Sequence, residues 1–112
     1  MSYNNDNRLQ LHAGEAYENV LVTVRDASDD IIELTSYSGW LHAKAYPPKL
    51  NAPLDISIGT SWIDASQGAM YFDFSSTDTS LNAGDYAYQV WTSNGTLKFC
   101  VVDDILQITA PL

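Results

Sequence analysis

Two histidines, one cysteine and a scatter of carboxylates are the side chains of this chain suited to chemistry. His12 and His42 each sit in strand-like alternation, away from any metal-ligand spacing, and read as surface strand residues rather than bases or ligands. Cys100 lies in an apolar stretch with no histidine-rich neighbourhood, which predicts a buried, inert thiol. It is the only cysteine, so no intramolecular disulfide forms, a usage that fits a reducing cytosol. None of the serines stands in a nucleophile-elbow pattern. Gly59, Gly68 and Gly84 are isolated turn glycines, not a phosphate loop or a dinucleotide fingerprint. An enzyme reading has no nucleophile–base pair to stand on.

The acidic residues allow one further arrangement. Asp26, Asp29 and Asp30 share a loop, and Asp103-Asp104 fall in another that could approach it. Loops at one end of a sandwich can gather carboxylates into a calcium site, which needs about six to eight oxygens. The weak candidate set is Asp26, Asp29, Asp30 and Asp104. The spacing is not that of an EF-hand loop, and short acidic loops are usually solvated turns. A glycosidase carboxylate pair needs a cleft that a small sandwich rarely provides. No metal and no cofactor is expected.

The elements that must position these residues repeat with a period of two. Val20, Val22 and Val24 alternate with Leu21 and Thr23; Leu41, Ala43 and Ala45 with Trp40, His42 and Lys44; Leu54, Ile56 and Ile58 with Asp55 and Ser57. Met70, Phe72 and Phe74 alternate with Tyr71 and Asp73, and Tyr86, Tyr88 and Val90 with Ala87, Gln89 and Trp91. Each set places one apolar row on one face of a strand. Turn clusters separate them: Ala27-Ser-Asp-Asp30, residues 46–53 with three prolines, Ser66-Gln-Gly68 and residues 75–80. Ser93-Asn-Gly-Thr96 is the strongest hairpin signal. The last strands run through residues 97–102 and 105–109, broken or bulged at Asp103-Asp104. No helical stripe appears. The expected fold is all-β, an antiparallel immunoglobulin-like β-sandwich of seven to eight short strands, with a small β-barrel as the alternative.

With 112 residues and a hydrophobic fraction of 46%, the chain suits one domain over residues 9–112, preceded by a polar arm, residues 1–8, that stays mobile unless a partner orders it. Five Lys and Arg oppose 14 Asp and Glu, for a net charge of -9. That field repels phosphate backbones and anionic lipid, so no nucleic-acid partner is expected. No window approaches the roughly 18 apolar residues of a membrane span, and the N-terminus lacks the apolar core of a signal peptide.

The outward rows carry more information than the core. If the alternation holds, Leu21, Trp40, Tyr71 and Trp91 occupy faces that a lone domain would make polar. Together they form a candidate interface. Trp62, following Gly59, is expected to cap the fold or turn inward. Exposed aromatics also stack on sugars, so a carbohydrate-binding or host-adhesion module is the competing use of the same side chains.

The order of motifs resembles a family of small immunoglobulin-like or sandwich domains in tailed-bacteriophage virions, including the N-terminal domain of the siphophage baseplate upper protein. Leu11-His-Ala-Gly-Glu-Ala-Tyr17 matches an opening strand, glycine and aromatic. Glu33-Leu-Thr-Ser-Tyr37 followed by Leu41-His-Ala-Lys44 matches a corner leading into a strand, with Ser36 where the family has glycine. Thr79, Leu81, Gly84, Tyr86 and Tyr88 match a later Thr, Leu, Gly and Tyr-x-Tyr. Asp103-Asp104 stand where the family carries a glycine before its last strand. The resemblance spans residues from about 9 to 109. It implies a non-enzymatic virion component of tail, baseplate or neck, assembled in the host cytoplasm and packed by symmetry against copies of itself and other virion proteins.

Overall fold

The computed structural model describes residues 3–4 and 7–110, with side chains from residue 7 onward. The described residues form ten strands: β1 (Tyr3–Asn4), β2 (Leu9–His12), β3 (Tyr17–Thr23), β4 (Arg25–Asp26), β5 (Ser38–Ala45), β6 (Ile56–Gly59), β7 (Trp62–Asp64), β8 (Ala69–Phe74), β9 (Gly84–Ser93) and β10 (Lys98–Thr109). A single 3-10 turn, Ala65–Gln67, joins β7 to β8. The fold is all-β. No helix among the described residues is long and apolar enough to cross a membrane.

Two principal sheets share one core. The larger has the order β2-β10-β9-β5-β6 and the smaller β3-β8-β7, while β1 and β4 pair separately. The period-two rows explain why the sheets meet. Leu41, Ala43, Tyr88 and Val90 from the larger sheet and Val22, Met70, Phe72 and Phe74 from the smaller are all buried in one cluster. Apart from Ala69, their outward neighbours on the same strands stay at least partly exposed. The larger sheet is open, with β2 and β6 as its edges, so it does not close into a small barrel.

Several expectations change in detail. The pairing is antiparallel except between β2 and β10, which run parallel from Leu9 beside Leu106 to His12 beside Thr109. Ten strands replace seven or eight because β1, β4 and β7 have only two or three residues each. The final segment is one continuous strand. Its register shifts between Cys100 and Val102, not at Asp103-Asp104, and the extra residue Val101 is buried together with Val102. Leu54 precedes β6 and is exposed. The Asn-Gly hairpin forms as a four-residue loop. Gly95 has φ 94°, and Asn94 Oδ1 accepts the Thr96 and Leu97 amides.

Parts of the expected arm, residues 1–8, are bonded to the strands. Asn7 is only 9% exposed and is bound on four sides. Its Nδ2 donates to Thr23 O at 2.9 Å and its Oδ1 accepts Thr23 N–H at 3.0 Å. Its own N–H donates to Asp104 Oδ2 at 2.9 Å, and Tyr88 Oη–H donates to its carbonyl. Upstream, Tyr3 and Asn4 pair with Asp26 and Arg25. Of the expected arm, residues 1–2 and 5–6 lie outside the described residues.

Candidate functional site

The outer face of the larger sheet is built from rows of paired residues. Trp40 on β5 faces Trp91 on β9, which faces Cys100 on β10. One rung along, His42 pairs with Gln89, and Gln89 with Asp103; beyond it Lys44 pairs with Ala87. Alternation alone brings these side chains to one surface, because the partners of an outward residue are themselves outward. Trp91 Nε1 donates to Gln89 Oε1 at 3.1 Å, which fixes the indole and the amide together. The Lys98 ammonium lies 5.5 Å from the Trp40 ring centroid and 5.1 Å from that of Trp91, within the range of cation–π attraction.

A groove of about 590 Å³ runs over this surface, with Trp40, Trp91, Ala87 and Gln89 as floor. The wall is the loop after β5. Lys44 Nζ donates to the carbonyls of Lys49 at 2.9 Å and Leu50 at 3.1 Å, pinning the loop against the sheet. Leu50 and Leu54 remain exposed along it. His42 is tilted against Trp40 with centroids 6.5 Å apart. Partial burial, and secondarily the charge of Lys98, hold its pKa below the ordinary histidine value. Its folded pKa is therefore depressed. Any stability it contributes is complete above the unfolded pKa and is lost as pH falls through the folded one. In an NMR titration the His42 midpoint is expected below that of a free histidine. Lys98→Met should return it only part of the way, because burial remains. A midpoint unmoved by that change would exclude Lys98 as a cause.

The smaller sheet carries a different surface. Leu21, Tyr71 and Trp62 lie on one rung across β3, β8 and β7. The Trp62 and Tyr71 rings are stacked, with centroids 4.2 Å apart and planes 3° from parallel. Leu21 is 47% and Trp62 49% exposed. The expectation that Trp62 turns inward is thus overturned: Asp64 pairs with Ala69 and Ile63 with Met70, which sends Trp62 outward with Tyr71. The four predicted interface residues do not form one contact. Both sheets turn their inner faces to the same core, so Trp40 and Trp91 lie on one outer surface and Leu21 and Tyr71 on the other.

The candidate metal ligands are not brought together. Asp26 Oδ1 accepts the amides of Ser28 at 2.9 Å and Asp30 at 3.0 Å, closing its own turn. Asp29, at φ 66°, lies 3.9 Å from Arg25 Nε. Asp104 is engaged with Asn7 and with the Ile105 amide. Among the described residues no group of three or more His, Cys, Asp or Glu has metal-binding geometry. His12 is exposed, with Nδ1 2.7 Å from Thr109 Oγ1.

Cys100 is half-buried rather than enclosed, on a second groove of about 540 Å³ with Tyr37, Phe99 and Glu33. Burial first, then the charge of Asp103, push its thiol pKa up. That leaves the protonated, poorly nucleophilic form dominant. Burial, reinforced by Asp104, likewise raises the Tyr88 phenol, which stays a hydrogen-bond donor to Asn7.

Sequence reasoning missed Trp62, Lys98 and Gln89 as members of these surfaces. Lys98 had a signal in its outward parity with Cys100, but its reach over Trp40 depends on a three-strand register. No family model matches the chain, and no curated protein matches it either.

Proposed function

We propose that the chain is an immunoglobulin-like β-sandwich domain of a tailed-bacteriophage virion, a non-enzymatic component that works by packing against copies of itself and other virion proteins. The fold half of this reading is supported by strand order. The sequence β10-β9-β5-β6 follows strands G, F, C and C′ of an immunoglobulin domain, and β3-β8-β7 follows B, E and D. Tyr86, near the start of β9, donates its hydroxyl to Asn82 O at 2.8 Å. That contact is a tyrosine corner. Tyr88, fully buried, takes the place two residues on where antibody domains carry a cysteine. Ser36, standing where the resembled family has glycine, adopts φ 67°, a conformation that glycine adopts without strain.

The observation that carries the assembly half is the Leu21-Tyr71-Trp62 row. An antiparallel sheet facing water is ordinarily polar outward, yet this rung exposes two large apolar side chains and a ring stack. Stacked aromatics that also expose apolar area suit the centre of a protein interface. Light scattering coupled to size exclusion is expected to find a defined oligomer. Leu21→Ser combined with Trp62→Ser should reduce it to a monomer with a thermal midpoint within a few degrees of the parent, since the ring pair is worth only about 0.5–1.5 kcal/mol. A parent protein that stays monomeric at its highest soluble concentration would sink the self-assembly reading.

A further inference from the structure

We infer that the groove over Trp40 and Trp91 is a binding site for an acidic saccharide, one bearing carboxylate groups on its sugar rings. This reading stands apart from the assembly surface, which lies on the opposite sheet.

The first observation is where the positive charge sits. The chain has five Lys and Arg against 14 Asp and Glu. Three of the five, Lys44, Lys49 and Lys98, line this groove, and among the described residues Asp103 is the only acidic one that does. On a molecule that repels anions elsewhere, the groove is the place where one is attracted. Lys98 is held above two indoles, so its charge projects over the groove floor.

The second is the floor itself. Two indoles from adjacent strands, with the small Ala87 beside them, give the groove an aromatic floor beneath the Lys98 ammonium, and indole rings are the kind of surface that takes the C–H face of a sugar ring. The volume of about 590 Å³ falls in the range of small-ligand sites.

The third is the mixture of polar groups. Gln89 uses its Oε1 on Trp91 and keeps its amide N–H groups as donors. His42, its pKa held down, keeps both a donor and an acceptor nitrogen near neutral pH. Asp103 supplies a pure acceptor. Sugar hydroxyls both donate and accept, and use all three. An acidic peptide would use the lysines but brings neither a C–H ring face for the indoles nor a row of hydroxyls to donate to Asp103, so the saccharide is the better match.

The test titrates the full chain, with its indole N–H signals followed by NMR, using three acidic probes: a galacturonic acid trimer, sialyllactose and a hyaluronan tetrasaccharide. At least one is expected to move the Trp40 and Trp91 signals and leave Trp62 in place. Lys98→Met keeps both rings and should weaken that binding at least tenfold, whereas Lys98→Arg should retain most of it. Trp91→Ala should abolish the response; the unmoved Trp62 signal reports that the variant is folded. A neutral trisaccharide giving the same shifts and affinity would overturn the role of charge. Hexaglutamate binding as well as the best sugar would overturn the saccharide in favour of a peptide. No shift with any acidic probe would overturn the site.

Discussion

Gly68→Ala is expected to destabilise the domain by about 3–5 kcal/mol, seen as a fall in the urea midpoint without a change in slope. Gly68 closes the 3-10 turn between β7 and β8 at φ 59°. A left-handed backbone alone costs a non-glycine residue about 1–2 kcal/mol. Here a Cβ would also stand 2.7 Å from Val24 O and 2.9 Å from Ile32 O. Those atoms belong to backbone already committed: Val24 N–H donates to Gly68 O at 2.7 Å, and Ile32 N–H donates to Val24 O. Shifting Val24 would strain its bonds to Gly68 and Ile32, and shifting Ile32 would strain the bond of its amide to Val24 O. Gly95→Ala is the control. Its φ is 94° but a Cβ there meets nothing within 4 Å, so about 1 kcal/mol is expected. Equal losses at the two sites would show that the close approach to Val24 and Ile32 is not what demands glycine. The turn also sets the register that stacks Trp62 on Tyr71, so the same substitution should quench self-association.

Asn7→Ala is expected to cost about 2–4 kcal/mol, because it strands a donor and an acceptor rather than deleting a bond between equals. The Thr23 N–H and C=O both lose their partner. The Asn7 main-chain bonds to Asp104 and Tyr88 then lose the anchor that aligns them. Thermal unfolding should register the loss, and the Thr23 amide should exchange with solvent far faster than in the parent protein. Tyr88→Phe, which leaves the Asn7 side chain in place, should cost less, about 1 kcal/mol. A Thr23 amide still protected in Asn7→Ala would mean that something else satisfies it.

Much of this was written in the alternation. The rows Leu41-Ala43, Met70-Phe72-Phe74 and Tyr86-Tyr88-Val90 are core, and Trp40, Trp91, Leu21 and Tyr71 point outward as their parity requires. Parity is a local property of extended backbone, which is why it survives without knowledge of partners. What it does not carry is which outward residues share a sheet. Trp91 and Tyr71 have equivalent patterns and end on opposite surfaces, because sheet membership is set by topology. Strand β7 has three residues, too few to display a period, so Trp62 had no pattern to betray its direction. The parallel partner of Leu9–His12 lies almost the whole chain away, and no short-range signal encodes such a pairing. Asn7 looked like part of a polar tail because its value is in five directed hydrogen bonds, which composition does not register.

The parallel union of β2 and β10 also decides how the domain meets mechanical load. Tension entering at Leu9 and leaving at Thr109 pulls these two strands past one another along their length, not apart from one end. The four rungs from Leu9–Leu106 to His12–Thr109, and the Ala13 amide on the Thr109 carbonyl beyond them, then bear the force together. An antiparallel terminal pair pulled at its open end would surrender its bonds one at a time, like a zip. Here the pairing works as a shear joint, its rungs sharing a load applied between Leu9 and Thr109.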